Sequence, residues 1–306
     1  MRALLIVNPH ATATTARRRD LLAHALASQM KLRIAHTTGR GHAAELAARA
    51  AADGFGLVVV HAGDGTVNET VNGLMQNPPG SRRPVLAVVP GGSTNVFARA
   101  LGLAPDPTDA TEQILEALSQ RRVRTVSLGR ADDRYFTFNA GLGLDAEVVA
   151  EVEKQRADGS TISNAMHVRE LLKLYVRGDR GAGPLRLEIP GRPPIDGGVL
   201  TFVSNVDPWT FVGSRPVRTN PGTSLDGGLG VFALRSLSLP TVLRVGTALL
   251  RRDGDPRGRQ LIRHDDIPAL TVRSARPIGF QVDGDYLGKR TEVAFSSVPD
   301  ALRVLV

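Results

Sequence analysis

At 306 residues, 42% hydrophobic and 22% charged, the chain has ordinary globular composition and is long enough for two domains. It contains no cysteine, which excludes a disulfide framework and thiolate metal sites; a reducing compartment fits, and the cytoplasm is the expected location. The net charge is +8, carried almost wholly by arginine, and suits nucleic acid, an anionic membrane surface or a phosphorylated small molecule, or reflects arginine-rich usage alone.

The first strand, Arg2–Val7, ends in Asn8-Pro9, and its apolar run is too short for a signal-peptide core. Residues 15–30 have helical spacing, with Leu21, Leu22, Ala25, Leu26 and Gln29 on one stripe. A second strand is expected at 32–35, and an alanine-rich helix at 42–52, stopped by Asp53-Gly54. The third strand, 57–61, is apolar without a break through Val60, the pattern of a strand buried on both faces of a parallel sheet. A Gly-rich turn and a helix at 67–75 follow. A fourth buried strand at 85–89 leads into another Gly turn and a helix at 95–101, then a helix at 107–120 and a strand at 123–128. This alternation predicts an α/β domain over 1–128 with a mostly parallel open sheet and helices on both faces.

Beyond residue 128 the texture changes. Helical stretches are expected at 146–155, 162–176 and 241–250. The rest reads as short strands at 185–189, 198–204, 230–234, 269–272, 278–282 and 292–295, between Gly and Pro turns. A β-rich, sandwich-like second domain over 129–306 is predicted. Residues 177–184 and 251–259 are Gly- and Arg-rich and read as flexible. No run reaches the roughly 18 apolar residues of a membrane span.

The chemistry concentrates in turns. In Val60-His61-Ala62-Gly63-Asp64-Gly65-Thr66-Val67-Asn68-Glu69 a buried strand ends in a Gly-Asp-Gly turn that opens into a helix. Glycines there let backbone amides approach a bound group, and the helix N-terminus favours an anion such as phosphate. Thr66 and Glu69 have the spacing of a capping box, which accounts for those two residues without any ligand. It does not account for an acid between two glycines at a strand's carboxyl end, where ligands of open sheets gather. One strand later, Val88-Val89-Pro90-Gly91-Gly92-Ser93-Thr94-Asn95 repeats the arrangement; Ser93 or Thr94 alone would be an ordinary N-cap. Two such turns at neighbouring strand ends suit the phosphates and sugar of a nucleotide.

These residues resemble the diacylglycerol kinase catalytic-domain family, which includes soluble bacterial diacylglycerol kinases and the sphingosine and ceramide kinases. Asn8-Pro9, the run Thr37-Thr38-Gly39-Arg40-Gly41-His42-Ala43, the Gly63–Thr66 turn and the 90–99 loop match in order. So do Asn139-Ala140-Gly141-Leu142-Gly143-Leu144-Asp145-Ala146, the segment 221–229 with Asp226-Gly227-Gly228-Leu229, and Gln281-Val282-Asp283-Gly284-Asp285. The resemblance implies a two-domain, ATP- and Mg²⁺-dependent lipid kinase, diacylglycerol the first candidate substrate, acting reversibly at the inner face of a membrane whose anionic surface its basic charge would favour. It implies that Thr37, Ala62, Gly63, Asp64, Gly65, Thr66, Val67, Asn68, Ser93 and Asn95 surround ATP. It also implies that Asp226, with backbone carbonyls near Thr223 and Gly228, helps hold Mg²⁺. Asp285 takes the general-base position, with Asp283 beside it as the alternative and Asp64 after them. Asp285 stands where the family carries glutamate, Ala62 where it carries glycine and Ser93 where it carries threonine. A base must come within hydrogen-bond reach of the hydroxyl it deprotonates, so the shorter Asp285 leaves the choice between it and Asp283 open.

Rival readings compete. A sphingoid or ceramide-type lipid, or a soluble substrate as in NAD kinases, would use a similar first turn; a catalytically silent nucleotide-binding module would explain Asp285. Gly141-x-Gly143-x-x-Ala146 formally satisfies a dinucleotide fingerprint, but no second strand ending in an acid follows at the required distance. The histidines lack zinc-ligand spacing. Aromatics, at 4%, do not interleave with basic clusters, so no nucleic-acid partner is expected. Trp209, Phe211 and Val212 read either as a core plug or as a lipid-contacting lip.

Overall fold

The uninterrupted apolar runs pair as parallel strands. In the computed structural model, which describes residues 1–11, 14–77, 83–157, 183–251 and 253–306, β1 (Arg2–Val7), β2 (Lys31–His36), β3 (Leu57–Ala62) and β4 (Val85–Pro90) lie in the order β2-β1-β3-β4, every pair parallel. All six residues of β3 are buried, as a strand covered on both faces requires. The expected helix at 162–176 and most of the segment 177–184 lie outside the described residues.

Helices follow each strand. Thr15 caps α1 (Ala16–Ala27) by accepting the Arg18 N–H, and Asp106 caps α5 (Pro107–Ser119) by accepting those of Thr108 and Asp109. The buried stripe of α1 is narrower than its spacing predicts: Leu22 and Leu26 are buried, whereas Leu21 is 62% exposed. α2 (His42–Ala50) packs on α3 (Asp64–Met75) so closely that a Cβ on Gly73 would stand 2.2 Å from the Ala44 carbonyl oxygen. α4 (Val96–Ala100) is a single short turn after β4.

The chain divides into two compact units, Met1–Leu128 with Asp300–Val306, and Gly129–Pro299. The last seven residues, which the sequence assigns to the second domain, therefore belong to the first unit, where Val304 pairs parallel with Leu86 of β4. Their apolar side chains extend the parallel sheet, a long-range pairing that local texture does not reveal.

The second unit is mainly antiparallel. β7 (Asn139–Gly143), β10 (Leu200–Ser204), β13 (Leu229–Leu234), β14 (Leu261–Ile267), β15 (Ala269–Val282) and β16 (Asp285–Leu305) run in the order β14-β13-β10-β7-β15-β16. β8 (Leu185–Glu188) joins β15, and β9 (Ile195–Gly198) joins β8. β5 (Val123–Ala131) and β6 (Arg134–Phe136) form a hairpin, as do β11 (Thr210–Val212) and β12 (Arg215–Val217). β15 and β16 are far longer than the short runs expected at 269–272, 278–282 and 292–295, and a register shift between Arg273 and Ile278 absorbs the polar interruption. The core joins Phe136, Leu142, Val231, Val272, Phe280 and Phe295. α6 (Leu144–Ala157) packs on β15, and α7 (Leu239–Leu249) covers a second cluster with Phe202 and Phe232. Trp209 is half-buried and packs against that cluster, its ring centroid 4.6 Å from that of Phe202 at a 43° tilt, while Val212 is 49% exposed. β7 is antiparallel to both its neighbours, which removes the dinucleotide-fold reading of its glycines. Among the described residues no helix is long and apolar enough to cross a membrane.

Candidate functional site

In the first unit the strand order reverses direction of growth at β1 and β3, and an open parallel sheet binds ligands beyond the carboxyl ends of such strands. Asn8 follows β1 and Thr66 lies in the first turn of α3; the Asn8 Nδ2 donates to Thr66 Oγ1 at 3.0 Å and ties the two strand ends together. The turn after β3 makes Gly63 the N-cap of α3, in extended conformation and with no side chain capping the helix. The Thr66 and Val67 N–H groups both donate to the Gly63 carbonyl, at 3.1 and 3.2 Å, so the helix opens tightly on the turn, and a helix N-terminus of this kind favours an anion. Thr66 is inside the helix, and Glu69 reaches away to accept the Gly41 N–H at 2.8 Å, holding the turn before α2. The capping-box reading of this pair is therefore corrected: both side chains bind other strand-end turns.

The two glycine turns rest on each other. A Cβ on Gly92 would lie 2.7 Å from the Gly63 Cα, and one on Gly91 would lie 2.9 Å from the Ala62 backbone. Asn95, at φ 51°, clamps its own turn: its Oδ1 accepts the Gly92 N–H at 2.9 Å and its Nδ2 donates to the Gly92 carbonyl at 2.8 Å. Asp64, between the turns, accepts the Phe97 N–H at 3.4 Å through Oδ1. Burial lowers the pKa of the half-buried Arg99 guanidinium, and the neighbouring Asp64 carboxylate opposes that shift. Arg99 thus adds a cation beside the phosphate-type turn, a role that its place at the end of the 90–99 loop did not signal.

The expected nucleotide contacts differ in exposure. Val67 and Asn68 are 2% and 0% exposed, and Asn68 Oδ1 accepts from Asn72, so both side chains help hold α3 in the unit. Ala62, Thr37 and Asn95 are also buried and shape the turns. Gly63, Asp64, Gly65 and Thr66 are half-buried, and Ser93 is exposed. His61, fully buried at the end of β3, places Nδ1 3.3 Å from the Val89 carbonyl; burial pushes its imidazole down, the carbonyl opposes this, and Arg18 adds to it.

In the second unit Asp283 and Gly284 form the two-residue turn between β15 and β16, with φ values of 47° and 82°. Both are left-handed, as a type I′ hairpin demands, and Asp-Gly is the sequence that tolerates it. The Asp283 side chain points into a cradle. Its Oδ2 accepts the Thr137 N–H at 2.7 Å and the Thr137 hydroxyl at 2.8 Å; its Oδ1 accepts the Phe138 and Asn139 N–H groups, both at 3.0 Å. Burial pushes this carboxyl up, and the four donated bonds oppose it. At 3% exposed and with both oxygens doubly engaged, Asp283 holds the hairpin turn to the Thr137–Asn139 backbone. Asp285, two residues on, accepts the Arg134 guanidinium at 2.8 Å through Oδ2 and keeps partial exposure. Gln281 donates to Asn139 Oδ1 at 2.9 Å and accepts the Gly284 N–H at 2.9 Å, bracing the same turn. Arg134, Thr137 and Phe138 carry no motif that marks them as partners of residues about 150 positions away.

Around the expected metal segment, Asp226 is exposed and its N–H lies 3.4 Å from Ser224 Oγ. The Gly228 N–H is fixed by Asp266 Oδ1 at 2.7 Å, and the Thr223 hydroxyl is buried without a hydrogen-bond partner. Among the described residues no three acidic or histidine side chains converge as a ready metal cage. The donors are one carboxylate and neutral oxygens, a set that fits a hard cation retaining water and phosphate ligands.

Residues 2–131 match the family model described as the diacylglycerol kinase catalytic domain. The chain is 30% identical over 259 residues to a diacylglycerol kinase of Bacillus subtilis (strain 168), covering 82% of this chain and 78% of that one. It is 27% identical over 255 residues to a diacylglycerol kinase of Staphylococcus aureus (strain Newman), covering 81% and 74%. A crystal structure of a diacylglycerol kinase from Bacillus anthracis str. Sterne superposes with a TM-score of 0.76 at 23% identity, over 99% of this chain and 96% of that chain; the likeness is one of fold.

Proposed function

The chain belongs to the diacylglycerol kinase family and is a lipid kinase; from that premise we propose that it transfers the γ-phosphoryl group of ATP to the free hydroxyl of diacylglycerol, giving phosphatidic acid. The observation that carries the nucleotide half is the pair of glycine turns at the ends of β3 and β4, packed backbone to backbone with Asp64 between them. The helix N-terminus after the first turn and the Arg99 cation suit a polyphosphate, since phosphoryl transfer is mainly positioning and charge stabilisation. Gly63, Asp64, Gly65, Thr66 and Ser93 would meet the nucleotide, while Thr37, Ala62, Val67, Asn68 and Asn95 would hold those residues in place.

Asp285 would accept the proton of the lipid hydroxyl as its oxygen bonds to the γ-phosphorus and the bond to ADP breaks. Its pairing with Arg134 would hold the carboxylate in one orientation. Asp226, with the backbone carbonyls of Thr223 and Gly228, would hold Mg²⁺, which when bound neutralises phosphate charge. The names of the relatives support diacylglycerol as the lipid.

The test is a substrate panel with labelled ATP and Mg²⁺: diacylglycerol, sphingosine and ceramide in mixed micelles, and NAD in solution. Labelled phosphatidic acid as the main product is expected. Preferential labelling of a sphingoid base, ceramide or NAD would overturn the substrate assignment.

A further inference from the structure

α7 turns only part of its surface to the core. Val245 is buried at 6% exposure, and Leu249 packs beside it against Phe202 and Phe232. Leu239, Leu243 and Leu250, by contrast, are 58%, 58% and 48% exposed. At 3.6 residues per turn, their i, i+4, i+11 spacing sets them within about 40° of one line along the helix. Of the eight large hydrophobic side chains exposed among the described residues, these three sit on this helix and its cap, so the exposure is concentrated rather than scattered. Arg244 and Arg251, both exposed, each follow one of the leucines and form a second row about a third of a turn round. From Arg235 through Arg251 the sequence holds no acidic residue.

We infer that this face of α7 is the anchor by which the protein docks on an anionic lipid bilayer, its leucines entering the acyl boundary and its arginines lying at the level of the lipid phosphates. The inference rests on the lipid-kinase reading only in that the substrate resides in the bilayer. Charge complementarity selects the occupant. A leucine row beside an all-cationic row matches an interface where hydrocarbon lies under anionic headgroups, and arginine stems can cover apolar surface while the guanidinium stays in the polar layer. A second copy of the chain is the poorer occupant, because a face pairing with itself would bring Arg244 and Arg251 towards their own copies with Asp253, among the described residues, the one nearby acid not already bridged to Arg257 and Arg263, as Asp255 is.

The experiment is co-sedimentation of the full chain with neutral phosphatidylcholine vesicles and with vesicles also containing phosphatidylglycerol. Each half-exposed leucine is worth roughly fivefold in partitioning, so Leu243→Ser/Leu250→Ser should bind anionic vesicles at least ~10-fold more weakly. It should keep the wild-type thermal midpoint and the turnover of a water-soluble, short-chain diacylglycerol. Arg244→Gln/Arg251→Gln should lose about tenfold on anionic vesicles and little on neutral ones. Leu21→Ser, which removes an equally exposed leucine from α1, should bind as wild type. Wild-type binding by the double serine variant, an equal loss in Leu21→Ser, or failure of the wild type to bind anionic vesicles would overturn the assignment. So would a dimer in sedimentation velocity that Leu243→Ser/Leu250→Ser dissociates while vesicle binding persists. If vesicle binding follows the expected pattern but wild type ignores short-chain diacylglycerol, the anchor stands and the substrate assignment falls.

Discussion

Adding one methyl group to Gly92 should damage the site more than adding one to Gly63, although the two residues face each other. An alanine Cβ at Gly92 would stand 2.7 Å from the Gly63 Cα and 3.2 Å from Asn95 Oδ1. Carbon atoms rest about 3.5–4.0 Å apart, so the turns must separate by about 0.8 Å. Neither obstacle yields cheaply: one is backbone, and the other is an amide bonded twice to Gly92 itself. From the other side, a Cβ on Gly63 meets Gly92 Cα at 3.3 Å, a shortfall of a few tenths of an ångström. Gly63 has φ −84°, which any residue adopts, so there the penalty is steric only. Overpacking of this size costs about 1–3 kcal/mol, and a displacement approaching 1 Å in a site costs about 10²-fold in rate. Gly92→Ala should therefore lower the thermal midpoint by several degrees and kcat/KM for ATP by about 10²-fold, while Gly63→Ala loses less than about tenfold. Differential scanning fluorimetry and initial rates at varied ATP measure both. A Gly92→Ala protein with wild-type midpoint and rate, or one milder than Gly63→Ala, would refute the reading of these turns as a jointly packed phosphate cradle.

Three further outcomes follow from named groups. Asp64→Asn should cut phosphoryl transfer by at least ~10²-fold with the fold intact by circular dichroism, the scale of losing one electrostatic contact in a site; near-normal turnover would remove Asp64 from the chemistry. Asp285→Asn should abolish turnover yet leave ATP binding and the thermal midpoint nearly unchanged, since a partly exposed ion pair is worth about 0–1 kcal/mol, and Asp285→Glu should keep activity; an active Asp285→Asn would send the search for the base elsewhere. Lowering the pH should weaken the fold through His61, whose folded pKa is depressed by burial: its contribution is complete above the unfolded value near 6.5 and is lost as the pH falls from there towards the folded pKa. His61→Asn should flatten that part of the stability profile in chemical denaturation.

The parallel half was legible because its signals are local. An apolar run, a Gly turn and a helix lie within a dozen residues, so the strand at 57–61 and the helix at 67–75 could be read in place, although the helix starts earlier, at Asp64, inside the Gly-Asp-Gly run. The second unit hides its length: Arg273 to Pro277 looks like a break, yet the register shift lets β15 run through it, and β14 escapes notice because Asp265 and Asp266 interrupt its apolar pattern. Asp283 and Asp285 show most clearly where sequence reasoning stops. Two acids two residues apart on a continuous strand would share one face. Here the left-handed Asp283-Gly284 turn stands between the strands, so that rule does not apply, and the two carboxylates reach different partners. One is enclosed by donors at Thr137, Phe138 and Asn139, the other meets Arg134, and none of these partners is near in sequence. Asn at 283 would turn an NH₂ group towards N–H donors, break two of the four buried bonds and cost about 2–4 kcal/mol. Asp283→Asn should thus fail by unfolding at lower denaturant, whereas Asp285→Asn should fail as a folded protein that binds ATP. Denaturant midpoints of the two variants separate the roles, and a fully stable but inactive Asp283→Asn would return the proton-accepting role to Asp283.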